Sequence, residues 1–297
     1  MGNEIKLVEP AVYVVGRQTV DDAELSRFLT DNGVAWESDS EVAAEVLSET
    51  AGRTCYMSFA RPRPGGNAAY LTHLLEVGHG SCIEHSVWNL LITGVSRSLT
   101  HELVRHRAGF GFSQLSQRYV DESVAEYVEP EIIANDPELH RIWIDTVRQS
   151  HAAYCVLAKK LSEKLTPCPT CGGDGRVGQH HDPASDTWRG GTQCLDCYGS
   201  GTAIPGPGTE SRKAARQAAR SVLPNATETK IFVTLNARAA RHFIEQRGSR
   251  HAEPEIRRLA GMVLDALQKE APNLFNDFTR DQLPDGSFEL TTPYKKV

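Results

Sequence analysis

The chain has 297 residues, 40% of them hydrophobic and 24% charged, and a formal charge of -6 from 32 basic and 38 acidic side chains. That is a globular composition with enough apolar material for one large core or two modest ones, and it excludes wholesale disorder. It also excludes a global positive field that would hold DNA or an acidic membrane, so any anion site must be local.

The opening "MGNEIKLVEPAVYVVG" has no basic stretch followed by an apolar segment, and no run approaches the roughly 18 apolar residues of a spanning helix, which together point to a cytoplasmic protein. Lys6 stands where a myristoylation signal after Met-Gly carries Ser or Thr. "VDDAELSRFLTDNG" begins with acids and ends on Asn-Gly, and "SDSEVAAEVLSETAG" has Ser/Asp caps and a closing Gly; both predict helices. A third helix opens at Asn67 and stops at the glycines of "EVGHG". "SVWNLLITGV" alternates in part and is β-rich, a strand feeding the helix "SRSLTHELVRHRAG". "DPELHRIWIDTVRQSHAAYCVLAKKLSEKL" predicts one long amphipathic helix, capped by Asp136 with Pro137 at its first position.

From residue 167 to 208 the composition turns to Gly, Pro, Cys and His, the mark of an insertion. This divides the chain into a principal domain, 1–166 with 209–297, and the inserted segment. Helical character returns in "TESRKAARQAARSVL" and stops before Pro224; "ETKIFVTLNA" predicts a strand; "RAARHFIEQRG" and "EPEIRRLAGMVLDALQKEA" predict helices; the tail "LPDGSFELTTPYKKV" suits either a terminal hairpin or a frayed end. Two strands separated by a long helical excursion imply an α+β fold, helices packed on a small mixed sheet.

Four of the seven cysteines form two CxxC pairs, Cys168/Cys171 in "CPTCGGDG" and Cys194/Cys197 in "CLDCYGSG". Paired CxxC motifs followed by glycines have the form of zinc knuckles, and two knuckles supply four thiolates to one structural zinc ion. His180 and His181 lie between the pairs as competing ligands, but four thiolates already close a structural site and leave no position for catalysis. The repeat resembles the CxxCxGxG motif of chaperone zinc domains, so a protein or nucleic-acid partner is an alternative use of the insertion. Cys55, Cys82 and Cys155 read as small buried side chains.

"RHRAGFGFSQLSQR", residues 105 to 118, concentrates cations and hydrogen-bond donors. Helical spacing puts Arg97, His101 and Arg105 on one face, with Glu102 placed to pair with Arg105. "GFGFS" predicts a turn that presents backbone N–H groups to a phosphate, with Ser113, Gln114, Ser116, Gln117 and Arg118 as donors. The competing reading is a solvated basic helix end. Further cations in "RQAARSVLP" (Arg216, Arg220), "LNARAARHF" (Asn236, Arg238, Arg241, His242) and "EQRGSRH" (Arg247, Arg250, His251) shift the balance toward several phosphates bound at once.

These blocks resemble the flavin-dependent thymidylate synthase family: "GHGSCIEHSVW", "SRSLTHELVRHR", "SQLSQRYV", "ARSVLP", "LNARAARHF" and "QRGSRHAEPEI" stand in family order over nearly the whole chain. The family signature is Arg-His-Arg, seven residues, then Ser. Here "AGFGFSQL" makes that interval eight before Ser116. The same longer interval is similar to the flavin-dependent UMP/dUMP methylases of polyoxin-type nucleoside antibiotic pathways. The resemblance implies a homotetramer with shared active sites, FAD, NADPH as reductant and methylenetetrahydrofolate as one-carbon donor, with neither membrane nor nucleic acid as partner. It assigns His79, Ser81, Arg105, His106, Arg107, Asn236, Arg238, His242 and His251 to the flavin, and Ser58 by a weaker match. Arg97, Glu102, Gln114, Ser116, Arg118, Arg220 and Arg247 fall to the nucleotide, with Arg247 and Glu102 as the catalytic pair and no protein nucleophile. The implied reaction is C5-methylation of UMP and/or dUMP. The alternatives are a dUMP-only thymidylate synthase and, from another class, a nucleic-acid-binding zinc protein.

Overall fold

The computed structural model describes residues 5–183, 185–203, 206 and 208–295. The Met-Gly start, the last two residues of the tail and part of the 167–208 segment therefore lie outside the described residues. β1 (Lys6–Leu7) and β2 (Ala11–Arg17) precede α1 (Asp22–Asp31), α2 (Ala43–Tyr56) and α3 (Gly66–Glu76). A 3-10 turn over Gly80–His85 leads into β3 (Val87–Ser96), α4 (Arg97–Leu103) and β4 (Phe110–Gln114), then β5 (Glu126–Tyr127), α5 (Glu131–Ala134) and α6 (Pro137–Lys164). The insertion contributes β6 (Arg176–Asp182) and β7 (Thr187–Gln193), and α7 (Thr209–Ala219) follows it. The chain closes with β8 (Glu228–Asn236), α8 (Ala237–Arg247), α9 (Pro254–Glu270), α10 (Pro272–Phe275), β9 (Thr279–Gln282) and β10 (Phe288–Thr291).

Two compact units form: Met1–Val8 with Leu115–Thr227, and Glu9–Gln114 with Glu228–Val297. The second unit is built on a four-stranded sheet in the order β2-β3-β8-β4. Every pair in it is antiparallel, so the sheet is not mixed as the sequence suggested. Side-chain alternation sets its faces: Trp88, Leu90 and Ile92 of β3 and Ile231, Val233 and Leu235 of β8 are buried together with residues of α3, α8 and α9. Trp88 meets Phe275 of α10 edge to face, with ring centroids 5.8 Å apart. The β9–β10 hairpin pairs antiparallel, the first of the two outcomes expected for the tail.

In the other unit, α6 runs unbroken from its Asp136 cap, whose carboxylate accepts from the Glu138 and Leu139 amides, to Lys164, and it packs on α7. β1 pairs parallel with β5.

Four expectations change. "GFGFS" is strand β4 rather than a phosphate-binding turn, because Phe110 and Phe112 sit opposite Leu235 and Val233 and pack on the core from that register. Strand β2 was unread, being a short edge segment whose partner lies some eighty residues on, Ala11 opposite Thr93. α2 has no side-chain cap and runs through Gly52 to Tyr56, ending at a left-handed Met57. Of the three cysteines outside the insertion, only Cys82 is buried, Cys155 is half-buried, and Cys55 is exposed.

Candidate active site

α4 starts as read, with the Ser96 hydroxyl accepting from the Leu99 amide, but it ends at Leu103. The amides of Arg105 and His106 bond three residues back, to Glu102 and Leu103, which tightens the last turn and releases the chain. Arg105 therefore leaves the face that carries Arg97 and His101, and Glu102 does not pair with it. Gly109, at φ +73, then turns the chain into β4; a Cβ there would lie 2.7 Å from the Ala239 Cβ and 2.8 Å from the Asn236 side chain. The Gly109 carbonyl accepts from the Asn236 amide, so the Arg-His-Arg loop is fastened to the β8–α8 junction. Asn236 also caps α8, its Oδ1 accepting from the Ala239 amide at 2.8 Å.

Above this junction lies a cavity of about 480 Å³ lined by Arg105, His106, Arg107, Ala108, Phe110, His242, Gln246 and Arg247. Three arginines line it and, among the described residues, no acidic side chain does, so its field is cationic. Arg247 is aimed from behind: Nη1 donates to Glu102 Oε2 and Nε donates to His106 Nε2 at 3.0 Å. Burial first, then the Arg247 guanidinium and the nearby His242 side chain, lower the His106 pKa to about 4. The ring is thus neutral at pH 7, and since Nε2 accepts from Arg247, its proton sits on Nδ1. Burial and the adjacent Glu253 carboxylate raise the Glu102 pKa above the ordinary carboxylate range, while Arg247 opposes the rise. Glu253 was not singled out from the sequence, although it stands inside the quoted block "QRGSRHAEPEI".

Arg247 also borders a second cavity of about 450 Å³, shared with His251, Glu289 and Lys295. Arg105, His106, Arg107, His242 and Arg247 are thus brought together, and His251 shares the second cavity with Arg247. Arg238 pairs with Glu84 at 2.6 Å on the surface. Ser58, His79 and Ser81 line neither cavity; the exposed His79 ring stacks on Tyr56 at 6.2 Å. Arg97 occupies the first turn of α4. The Gln114 amide donates to Thr100 Oγ1 at 3.1 Å and Thr229 Oγ1 at 3.2 Å, so both its hydrogens are committed within the protein.

Ser116, Arg118 and Arg220 belong to the other unit. There the Arg118 Nε is buried without a hydrogen-bond partner among the described residues. The wider cationic set is mostly internal wiring: Arg216 donates to the Tyr119 carbonyl and to Asp121, Arg241 to Asp277, and Arg250 to Glu289. Those three arginines leave the list of phosphate ligands. In the insertion, Cys168, Cys171, Cys194 and Cys197 converge, their Sγ atoms within 4.8 Å of one another. His181 bonds instead to Asp186 at 3.0 Å, and the His180 side chain lies outside the described residues.

No helix among the described residues is long and apolar enough to cross a membrane. The fold resembles the crystal structure of a UMP/dUMP methylase, PolB from Streptomyces cacaoi, bound with 5-Br dUMP, at a TM-score of 0.55 and 18% identity over 92% of this chain and 96% of that one. Residues 39–273 match the family model described as thymidylate synthase complementing protein. The flavin-dependent thymidylate synthase of Corynebacterium diphtheriae is 41% identical over 94% of this chain and 98% of its own length. That of Mycobacterium sp. strain JLS is 45% identical over 90% of this chain and 92% of its own. With its cationic, arginine-lined cavity and this extent of likeness, the chain belongs to the flavin-dependent thymidylate synthase family.

Proposed function

We propose that this enzyme methylates C5 of a uridine 5′-monophosphate, UMP and/or dUMP, in the cytoplasm, with methylenetetrahydrofolate as one-carbon donor and NADPH as reductant. The observation that carries the reading is the cavity of Arg105, Arg107 and Arg247 with no carboxylate among the described residues of its wall. Its donor set fits FAD: two exposed guanidiniums for the diphosphate, a neutral His106 with a free Nδ1–H, and His242 on the facing helix. Asn236 and Arg238 at the start of α8, His251 beyond its end, and Ser58, His79 and Ser81 near the 3-10 turn complete the proposed flavin set. Bound there, the flavin supplies the redox equivalents of the methylation.

The protein's own part is positioning and charge. Arg247, oriented by Glu102 and His106, is the proposed stabiliser of negative charge developing on the pyrimidine. Glu102 fixes that guanidinium and, with its raised pKa, offers a carboxyl that exchanges a proton more readily than an exposed one. Arg97, Gln114, Ser116, Arg118 and Arg220 are the remaining nucleotide ligands of the proposal. The orphaned Arg118 Nε supports that role, whereas the internally bonded Gln114 keeps only its carbonyl for a ligand. The active sites are proposed to be shared within a homotetramer. A structural zinc ion on the four cysteines has no open position and takes no part in the chemistry.

Phe110, inside the lengthened interval, lines the cavity and stacks on Phe112 with centroids 5.5 Å apart. The proposal is that this aromatic wall enlarges the sugar pocket enough to admit UMP. The relatives at 41–45% identity, named as thymidylate synthases, favour the rival reading of dUMP alone. Tritium release from 5-labelled UMP and dUMP, with flavin absorbance bleached by NADPH, tests both. Release from UMP supports the broader substrate range; release from dUMP only establishes the rival; a colourless protein without release overturns the reaction.

A further inference from the structure

Among the described residues, the inserted hairpin has no apolar core. Its buried centre is Cys168, Cys171, Cys194 and Cys197, with Val177 packed partly against them. A segment this small has too little apolar surface to order itself, and small domains in this position are usually held by a disulfide or a metal. No disulfide joins them: all four are free cysteines, with Cys168 Sγ 3.9 Å from Cys194 Sγ and Cys171 Sγ 3.7 Å from Cys197 Sγ, against roughly 2.05 Å for a bond. Four sulfurs at about 2.3 Å from one tetrahedral ion stand about 3.8 Å apart, close to the separations of these two pairs, and all four lie within 4.8 Å of one another.

The two halves are also copies of one another, related by a shift of 26 residues. The Gly175 amide donates to Cys171 Sγ at 3.2 Å, and the Gly201 amide to Cys197 Sγ at 3.3 Å. Reciprocally, the Cys168 amide donates to the Gly201 carbonyl at 2.8 Å, and the Cys194 amide to the Gly175 carbonyl at 2.9 Å. Only glycine fits these turns: a Cβ on Gly175 would lie 2.4 Å from the Gly199 carbonyl oxygen, and one on Gly201 would lie 2.1 Å from that of Gly173. Amides aimed at sulfur stabilise thiolates rather than thiols, the second coordination sphere expected of a metal site.

We infer that these four thiolates bind one zinc ion in a closed, pseudo-twofold tetrahedral site, and that this ion is the core on which the insertion folds. Soft sulfur donors exclude Mg²⁺ and Ca²⁺, and a cage whose sulfurs all lie within 4.8 Å holds a single ion rather than a cluster. Because four protein ligands fill the tetrahedron, the ion is structural, and its binding energy is folding energy for residues 168–201. The inference is independent of the methylation proposed above, since all its donors lie within the insertion.

The test uses the full chain purified without chelator. Elemental analysis is expected to find about one zinc per chain. The double variant Cys168→Ser/Cys194→Ser is expected to lose it, while Cys55→Ser/Cys155→Ser keeps it. Should the first variant fail to fold, the wild-type protein decides: a mercurial thiol reagent releases zinc to an indicator dye in step with the four thiols it blocks. Limited proteolysis within 168–201 is then expected only after the metal is removed. Full zinc content in Cys168→Ser/Cys194→Ser overturns the assignment. So does a stoichiometric iron in place of zinc, or a wild-type protein that holds no zinc and takes up neither Zn²⁺ nor Co²⁺.

Discussion

The two sides of α8 put the same residue type to opposite uses. On the inner side Arg241 is buried, both Nη atoms bonded to Asp277 at 2.7 Å and Nη1 also to the Leu274 carbonyl, with the Phe278 ring 4.8 Å away. On the outer side Arg247 is half-exposed, held by Glu102 and His106 from behind, and turned toward a cavity. An arginine buried with both Nη atoms on one carboxylate locks the fold, although its Nε finds no partner among the described residues; one whose partners only orient it keeps charge available for a ligand.

The sharpest way to separate the two sides is substitution. Arg241→Ala strands the half-buried Asp277 carboxylate with Thr292 as its remaining partner and is expected to cost about 3 kcal/mol, read as a large drop in the urea midpoint and in soluble yield. Arg247→Ala is expected to leave the urea midpoint nearly unchanged while lowering kcat by about 10²–10³-fold, the scale for removing one stabilising donor. Equal stability losses at the two positions would erase the distinction. Gly109→Ala should cost at least about 1–2 kcal/mol, from its positive φ and its contact with Ala239, and should weaken flavin binding by shifting the Arg-His-Arg loop.

Acid sharpens the comparison further. The folded His106 pKa of about 4 lies below its ordinary 6.5, so the unfolded chain takes up that proton first. Its contribution to stability is complete above pH 6.5 and is lost as the pH falls toward 4. An NMR titration of the His106 ring should show no inflection near 6.5, and His106→Gln should flatten the stability profile in that window. The smallest effect is expected at Arg238, whose pairing with Glu84 is solvent-exposed on both sides. Arg238→Ala should change stability by less than about 1 kcal/mol, and any larger effect would have to appear in flavin affinity.

Much of the architecture was legible because its signals are local. Asp136 and Pro137 mark the start of α6 within two positions, and each CxxC pair announces its own turn. The Arg-His-Arg loop was found, but not its shape. What turns the loop after α4 into β4 is Gly109 set against Ala239, and what makes "GFGFS" a strand is its pairing with β8; both partners lie far along the chain. The same holds for the arginine count. Nothing near Arg241 betrays Asp277, which is 36 residues away, so the sequence shows a cluster of cations where the fold makes one structural lock and one candidate ligand. The surroundings of Gln114 and Glu253 were illegible for the same reason: Thr229 and Glu102, which meet them, are not their neighbours in sequence.

The ends of the insertion meet: the Ala203 amide donates to the Thr166 carbonyl at 3.0 Å, and Pro167 bridges Thr202. To the helices α6 and α7, the whole segment therefore counts as a tight turn. Loop-closure entropy grows only slowly with length, and a segment that closes upon itself adds almost none to the pairing of the helices it joins. Such a joint tolerates exchange: an unrelated self-closing module, or a short linker of matching span, can occupy it while the helix pair stays together, and Thr166 and Ala203 are the natural cut points for grafting.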